Sequence, residues 1–418
     1  MRLIPVMLAL LLALSPGAVA MQASAPAGPA PAQTGSDVAR AAQSGNDTAR
    51  PETDGNTTTV LTLGTASSRT ALDSPSLALG NFLAMDRDGF RTQLGTNSLD
   101  KQLETADSVE KKKQILNRYR YRIENRIISL KATERQAAQA FSNGTISESE
   151  YLRTLGQIDA EAERIRTAID ALKKHAESTN FGIDAYSLKA KLATVEGPVR
   201  DRIAKTLQGR ADPTRIYVET ADSGVVLSTI VEGAYVRETF RADNRDPSKQ
   251  ESISVQNAMT EVIQPQYPWV SNPNNWTGSS RRVYSPIQSI KYTYDYSHGS
   301  LTAYVDTGTA KVYREIQYKE LTGEPSLPPG PTVANSSENV TVTVNRTYPG
   351  GPLRVRLTNA TGAPLRGEVT VAGERVGRTG PNGALWTLGP AEQFRVSATD
   401  DDTTVNVTAT PVTASKDE

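Results

Sequence analysis

A run of apolar residues recurring at alternating steps of four and three constrains this chain most. Tyr151, Leu155, Ile158, Ala162, Ile165, Ile169, Leu172 and Ala176 follow one another in that rhythm without a break. Only a helix keeps such positions on one face, and the rhythm is that of a heptad seam. Upstream, Leu116, Ile123, Ile127, Leu130, Ala137 and Phe141 repeat it. Between the two runs lies Ser142-Asn143-Gly144-Thr145-Ile146. Gly144 suits a left-handed helix end. Ser147 with Glu150 forms a capping box, and Ile146 and Tyr151 are spaced as a hydrophobic staple around it. So short a connection makes the arms antiparallel. The expectation is a coiled-coil hairpin, a spacer or docking surface that does no chemistry. Arg120 and Glu134 occupy seam positions. Polar seam residues can fix register, but at the edge of the stripe long side chains reach water, and that is the expectation for both.

The N-terminus reads as an export signal over residues 1–20. Arg2 supplies positive charge, residues 6–14 are uniformly apolar, and Ala18-Val19-Ala20 is a cleavage site that places the mature start at about Met21. The apolar run is short for a membrane span, and no other stretch approaches the needed length. A secreted or cell-surface location follows, with no transmembrane segment in the mature chain. Cysteine is absent, so stability must come from apolar cores rather than disulfides. Lys+Arg and Asp+Glu balance at 46 each, which argues against nucleic acid as a partner.

Changes of period divide the rest into a multidomain α+β chain. Residues 21–70, rich in Ala, Gly, Pro, Ser and Thr, read as a disordered leader. Residues 71–209 form a helical domain containing the antiparallel hairpin. Residues 213–320 form an α+β domain with an antiparallel sheet: strands at 215–219, 225–231 and 234–241, one helix between Pro247 and Pro265, then strands at 288–296, 301–306 and 310–319. A Pro-rich linker occupies 321–337, a C-terminal β-sandwich 338–411, and a disordered tail 412–418.

Nine N-x-S/T sequons stand at Asn46, Asn56, Asn143, Asn275, Asn335, Asn339, Asn345, Asn359 and Asn406, out of 19 Asn. Composition alone would give roughly three or four. In 339–345 three valines alternate with polar residues. If Val340, Val342 and Val344 face a core, Asn339 and Asn345 face outward, where a glycan is tolerated. Val405 and Val407 impose the same orientation on Asn406.

Little else carries chemistry. The two histidines, His175 and His298, have no second His at ligand spacing. Ser108 to Lys111 matches S-x-x-K, but it sits at a helix start and no K-T-G follows. No catalytic residue, cofactor site or metal site is therefore expected. Aromatic residues gather in the α+β domain: Trp269, Trp276, Tyr292, Tyr294 and Tyr296, the tyrosines on one strand face by period two. They are candidate contacts for a sugar or peptide, or else a tyrosine-rich sheet packed under the helix.

Two resemblances accompany these patterns. The segments 358–365, 367–371 and 376–383, within 353–408, resemble the transthyretin-like, carboxypeptidase-regulatory type of β-sandwich, which implies an accessory module. The layout, with residues 1–20, 217–224 and 301–319 as its suggestive segments, resembles uncharacterised exported proteins of halophilic archaea. More weakly, 298–318 resembles the strand pair of peptidase-propeptide modules. The leading reading is a non-enzymatic, N-glycosylated interaction or structural protein of the envelope, its partner an unidentified envelope protein or glycan. The second is a glycan- or peptide-binding module, one that restrains a peptidase, built on the aromatic α+β domain.

Overall fold

The structure is a computed structural model describing residues 59–76, 79–249, 252–322, 327 and 330–413. The signal sequence, the leader up to residue 58, Asn46, Asn56 and residues 414–418 lie outside the described residues.

Helix α1 (Leu79–Glu104) precedes α2 (Val109–Ser142) and α3 (Glu148–Ser178). The hairpin forms as its punctuation dictates. Ser147 accepts a bond from the Glu150 N–H, Gly144 takes φ +72°, and Phe141 stacks on Tyr151 with ring centroids 4.8 Å apart. Ile127 and Ile165 share one apolar cluster with Leu116, Ile158 and Leu172. Helix α1 runs alongside α3: the Arg164 guanidinium bonds the Met85 carbonyl and His175 pairs with Asp100 at 2.6 Å. The seam is thus shared by three helices. Ser108, the serine of S-x-x-K, caps α2 by accepting the Lys111 N–H. Two shorter helices follow, α4 (Ala185–Ala190) and α5 (Pro198–Leu207).

The central layer is one antiparallel sheet of eight strands. They are β1 (Arg69–Asp73), β2 (Ile216–Ala221), β3 (Gly224–Val231), β4 (Ala234–Arg241), β5 (Trp276–Tyr284), β6 (Ser289–Tyr296), β7 (Gly299–Asp306) and β8 (Lys311–Glu320). The spatial order is β1-β2-β3-β4-β8-β7-β6-β5. Its first strand straddles the boundary that the sequence places at residue 70, between a disordered leader and a helical domain. Residues 59–70 depart from the leader expectation, and 71–73 from the helical one, because Val60, Leu61 and Leu63 find apolar cover and β1 pairs along β2 from Arg69 to Asp73. Arg69 then reaches the hairpin turn, donating to the carbonyls of Phe141 (3.1 Å) and Ile146 (2.9 Å).

Both faces of this sheet are covered, so β3 and β4 are buried on both sides over their central residues. On one face α3 and α5 bring Leu152, Leu155, Ile203 and Leu207 onto Val218, Leu227 and Val236. On the other lies the helical stretch 255–271. It starts eight residues after the Pro247 start expected and runs through Pro265 instead of stopping there, and its middle, Ala258–Ile263, is a π-helix. Pro265 has no N–H to donate into the turn before it, which favours the widened geometry.

The C-terminal sandwich has sheets β14-β11-β10-β9 and β13-β12-β15-β16. Their strands are β9 (Thr332–Ser337), β10 (Val340–Asn345), β11 (Pro352–Asn359), β12 (Glu368–Val371), β13 (Glu374–Arg378), β14 (Ala384–Leu388), β15 (Phe394–Asp400) and β16 (Thr403–Ala409). Val340, Val342 and Val344 are buried, as alternation requires. Strand β9 lies inside the expected linker. It pairs with β10 over its whole length, and Leu321 and Leu327 are buried, so these residues pack rather than space. The described residues form one compact unit.

Candidate functional site

Strands β4 and β8 place charge on both faces of the sheet, and the layers are tied together through it. On the helix side Glu238 of β4 meets Arg200 of α5 at 3.3 Å, and the same guanidinium meets Glu134 of α2 at 2.6 Å. Arg200 also donates to the Thr194 carbonyl at 3.0 Å. All three side chains are buried. Burial pushes the carboxyls of Glu134 and Glu238 up, and Arg200 pulls both back down. Next to them Asp159 accepts the Gly197 N–H (3.2 Å), and burial lifts its carboxyl to about 8. Glu134 therefore does not reach water from the seam edge. It turns inward because α5 supplies a guanidinium there. Arg120 stays half-buried at the seam margin.

On the opposite face Glu315 of β8 is the hub. One carboxylate oxygen accepts from Arg237 at 2.9 Å. The other accepts from the Leu61 N–H and the Tyr267 hydroxyl, each at 2.7 Å. Arg237 also donates to the Leu61 carbonyl at 2.9 Å. One peptide segment is thus clamped between an acid and a base, with Gln317 holding the Thr59 carbonyl at 3.1 Å. The sandwich docks beside this arm. Ser228 (2.6 Å) and Tyr235 (3.1 Å) both donate to the Gly350 carbonyl. Gly350 has φ +68°, and a Cβ there would lie 2.2 Å from the Tyr217 ring, so only glycine allows so close an approach. Lys319 is fully buried and donates to the Tyr348 hydroxyl at 3.3 Å. Burial lowers its ammonium to about 7, with Glu315 opposing.

Between arm, sheet and sandwich opens a cleft of about 790 Å³. Arg237 and Glu219 face it from the sheet, Thr62, Thr65 and Ser67 from the arm, and Tyr348 and Thr410 from the sandwich. Its charged members are already engaged: Arg237 as above, and Glu219 by the hydroxyls of Ser67 and Tyr217. What remains is a wall of hydroxyl and aliphatic groups suited to contact with another surface or a neutral ligand. Nothing in the sequence marked this cleft, since its walls come from segments more than 300 residues apart.

The aromatic residues read from the sequence lie elsewhere. Tyr292, Tyr294 and Tyr296 are buried under the 255–271 helix. Their hydroxyls bond the Val255 carbonyl (2.8 Å), the Met259 sulfur (2.9 Å) and the Tyr318 carbonyl (3.3 Å). Trp276 packs edge-on to Tyr294, and Trp269 edge-on to Tyr296 and beside the buried His298. The three tyrosine rings are part of a core, and Trp269 and Trp276 pack half-buried against it. The helix covers them because period two put all three tyrosines on its side of the sheet.

Among the described sequons Asn143, Asn335, Asn339 and Asn406 are exposed, and Asn275, Asn345 and Asn359 half-buried. Some amides are already in use. The Asn345 Nδ2 donates to the Gly330 carbonyl (3.1 Å) and the Thr332 hydroxyl (2.9 Å). Asn275 donates to the Trp269 carbonyl (2.8 Å) and Asn335 to the Asn406 carbonyl (2.7 Å). Asn359 folds back on its own turn, its Oδ1 accepting the N–H groups of Thr361 (3.0 Å) and Ala363 (2.8 Å).

Three family models match. One described as a domain of unknown function (DUF7096) covers residues 1–212, just over half of the chain. One described as a family of unknown function (DUF7094) covers 216–325. The third, an archaeal fibronectin-III type-like domain, covers 331–407. The sandwich is therefore of fibronectin-III-like rather than transthyretin-like type, and its match begins within the expected linker. No curated protein and no solved structure matches the chain. No helix among the described residues is long and apolar enough to cross a membrane.

Proposed function

The chain belongs to the DUF7096 family, and we propose that it is a non-catalytic, exported interaction or structural protein of the archaeal cell envelope, N-glycosylated on its sandwich. One observation carries this reading: the use to which buried charge is put. Arg200 with Glu134 and Glu238, and Arg237 with Glu315, are spent on joining layers. A charged group spent in that way offers no proton or nucleophile to a substrate. The result is a rigid body that presents surfaces, with a fibronectin-III-like module seated on it. The export part rests on Arg2, the apolar run 6–14 and Ala18-Val19-Ala20. The alternative, a sugar or peptide held on the tyrosine face of β6, has no open face to act on.

The test is N-terminal sequencing of protein from the envelope and medium of the native host, alongside protease treatment of intact cells. A start near Met21 and cleavage by external protease are expected. An intact Met1 in most molecules, or full protection in intact cells, would overturn the reading.

A further inference from the structure

Beyond α5, where α4 overhangs β5 to β8, the helix-facing side of the sheet holds a second cleft of about 210 Å³. Three cations line it, Arg166, Lys189 and Arg282, and among the described residues no acidic one does. Tyrosine rings make up much of the remaining wall.

The sheet register explains how the charge is concentrated. Arg282 stands opposite Lys291, Lys291 opposite Tyr304, and Tyr304 opposite Arg314, one transverse row across four strands. Lys291 and Arg314 lie 6.0 and 5.0 Å from the Tyr304 ring. Like charges directly opposite on neighbouring strands destabilise a sheet. Arg282 and Lys291 nevertheless face each other, and neither has an acidic partner among the described residues. The other two cations are held in place from behind. Glu196 grips Arg166 through two bonds, and Asp170 holds Lys189 at 2.6 and 2.8 Å. Nearby, burial and then Arg245 push the Lys131 ammonium down to about 8. Positive charge is therefore in excess here, although the chain as a whole is neutral.

The rim adds a second kind of group. Tyr186 of α4 is 64 % exposed, and the Lys173 ammonium lies 5.7 Å from the centre of its ring. Guanidinium and ammonium groups select an oxyanion. An exposed tyrosine ring beside them offers a stacking platform for a sugar face. The volume admits one ring.

We propose that this cleft binds an acidic saccharide, one sugar ring stacked on Tyr186 with its carboxylate or sulfate held by Arg282 and Lys189. A nucleic acid is disfavoured because a phosphodiester chain needs a continuing basic track, and the balance of charge supplies none. The proposal stands on the cleft's own residues and does not depend on export.

The test is calorimetric titration of the full chain with methyl glucuronide, a 6-sulfated methyl glucoside, neutral methyl glucoside and inorganic sulfate. Arg282 and Tyr186 are exposed, so Arg282→Ala and Tyr186→Ser should keep the fold, checked by thermal melts. One acidic sugar should saturate the site, and whichever binds tighter assigns the oxyanion. Neutral glucoside should bind about tenfold more weakly or not at all. Arg282→Ala should weaken the acidic sugar about tenfold, and Tyr186→Ser roughly threefold or more. The proposal falls if neither acidic sugar saturates by about 50 mM, or if Arg282→Ala changes nothing. It falls equally if sulfate alone binds as tightly and Tyr186→Ser has no effect, an adventitious ion only. A short single-stranded oligonucleotide binding more tightly than both sugars, with the same dependence on Arg282, would replace it with a nucleic-acid site.

Discussion

Replacing Arg200 with alanine should turn an internal tie into a pair of buried, unpaired carboxylates. Arg200 is 3 % exposed, 2.6 Å from Glu134 and 3.3 Å from Glu238. Without it, the upward push of burial on both carboxyls goes unopposed. The folded protein then has to take up a proton. Moving a carboxyl from its ordinary value of 4.5 to the protonated form at pH 7 costs ~3.4 kcal/mol. One uptake relieves most of the repulsion, so the expected loss at pH 7 is about 3–5 kcal/mol, the range for breaking a buried ion pair. The sign with pH follows from linkage. A carboxyl whose folded-state value lies above its unfolded one favours the fold fully below the unfolded value. That contribution is lost as pH rises through the folded one. The variant's deficit should therefore grow as pH rises through the wild-type folded value, by at most ~1.4 kcal/mol per pH unit for each proton held, and shrink toward pH 5. Urea unfolding of wild type and variant at pH 5, 6, 7 and 8 measures this. Adding Glu238→Gln should restore part of the loss at pH 8 and little at pH 5. A deficit below about 1 kcal/mol at pH 7, or one that does not change with pH, would refute a closed, dry network.

Three further outcomes are expected. Ile158→Asp puts a charge at a 2 % exposed seam position and should cost several kcal/mol in urea unfolding; a loss within ~0.5 kcal/mol, the range of surface substitutions, would show that the seam is not closed. Deleting the chain through residue 63 removes two charge-assisted bonds at Leu61, each worth ~1.5–3 kcal/mol, so unfolding should shift to clearly lower urea; an unchanged midpoint would mean that the arm does not lie on the sheet. Intact-glycopeptide mass spectrometry on native protein should find Asn339 and Asn406 more fully occupied than Asn345, because both Asn345 amide hydrogens are engaged; equal or reversed occupancy would show that those two bonds are not held when the glycan is added.

Short-range order was legible residue by residue. The hairpin, its Ser147 cap and the left-handed Gly144 follow from signals a few residues apart, because helix hydrogen bonds and their caps join near neighbours. The valines of β10 declared their face because strand side chains alternate, and Asn339 follows from them. The fold class, helices with antiparallel sheets and a C-terminal sandwich, came from the same periodicities. The assembly of those parts was decided only in three dimensions. Leu61 and Glu315 bond across 254 residues, and Arg69 caps a hairpin turn more than 70 residues ahead of it. Hydropathy reads Glu134, Arg200, Arg237 and Glu315 as surface, since each alone would be costly to bury. They become interior only when another segment brings the opposite charge, and no local pattern encodes that meeting. The tyrosines of β6 show the converse. Their common face was plain from the period, but whether water, a sugar or a helix would cover it depended on where residues 255–271 came to rest.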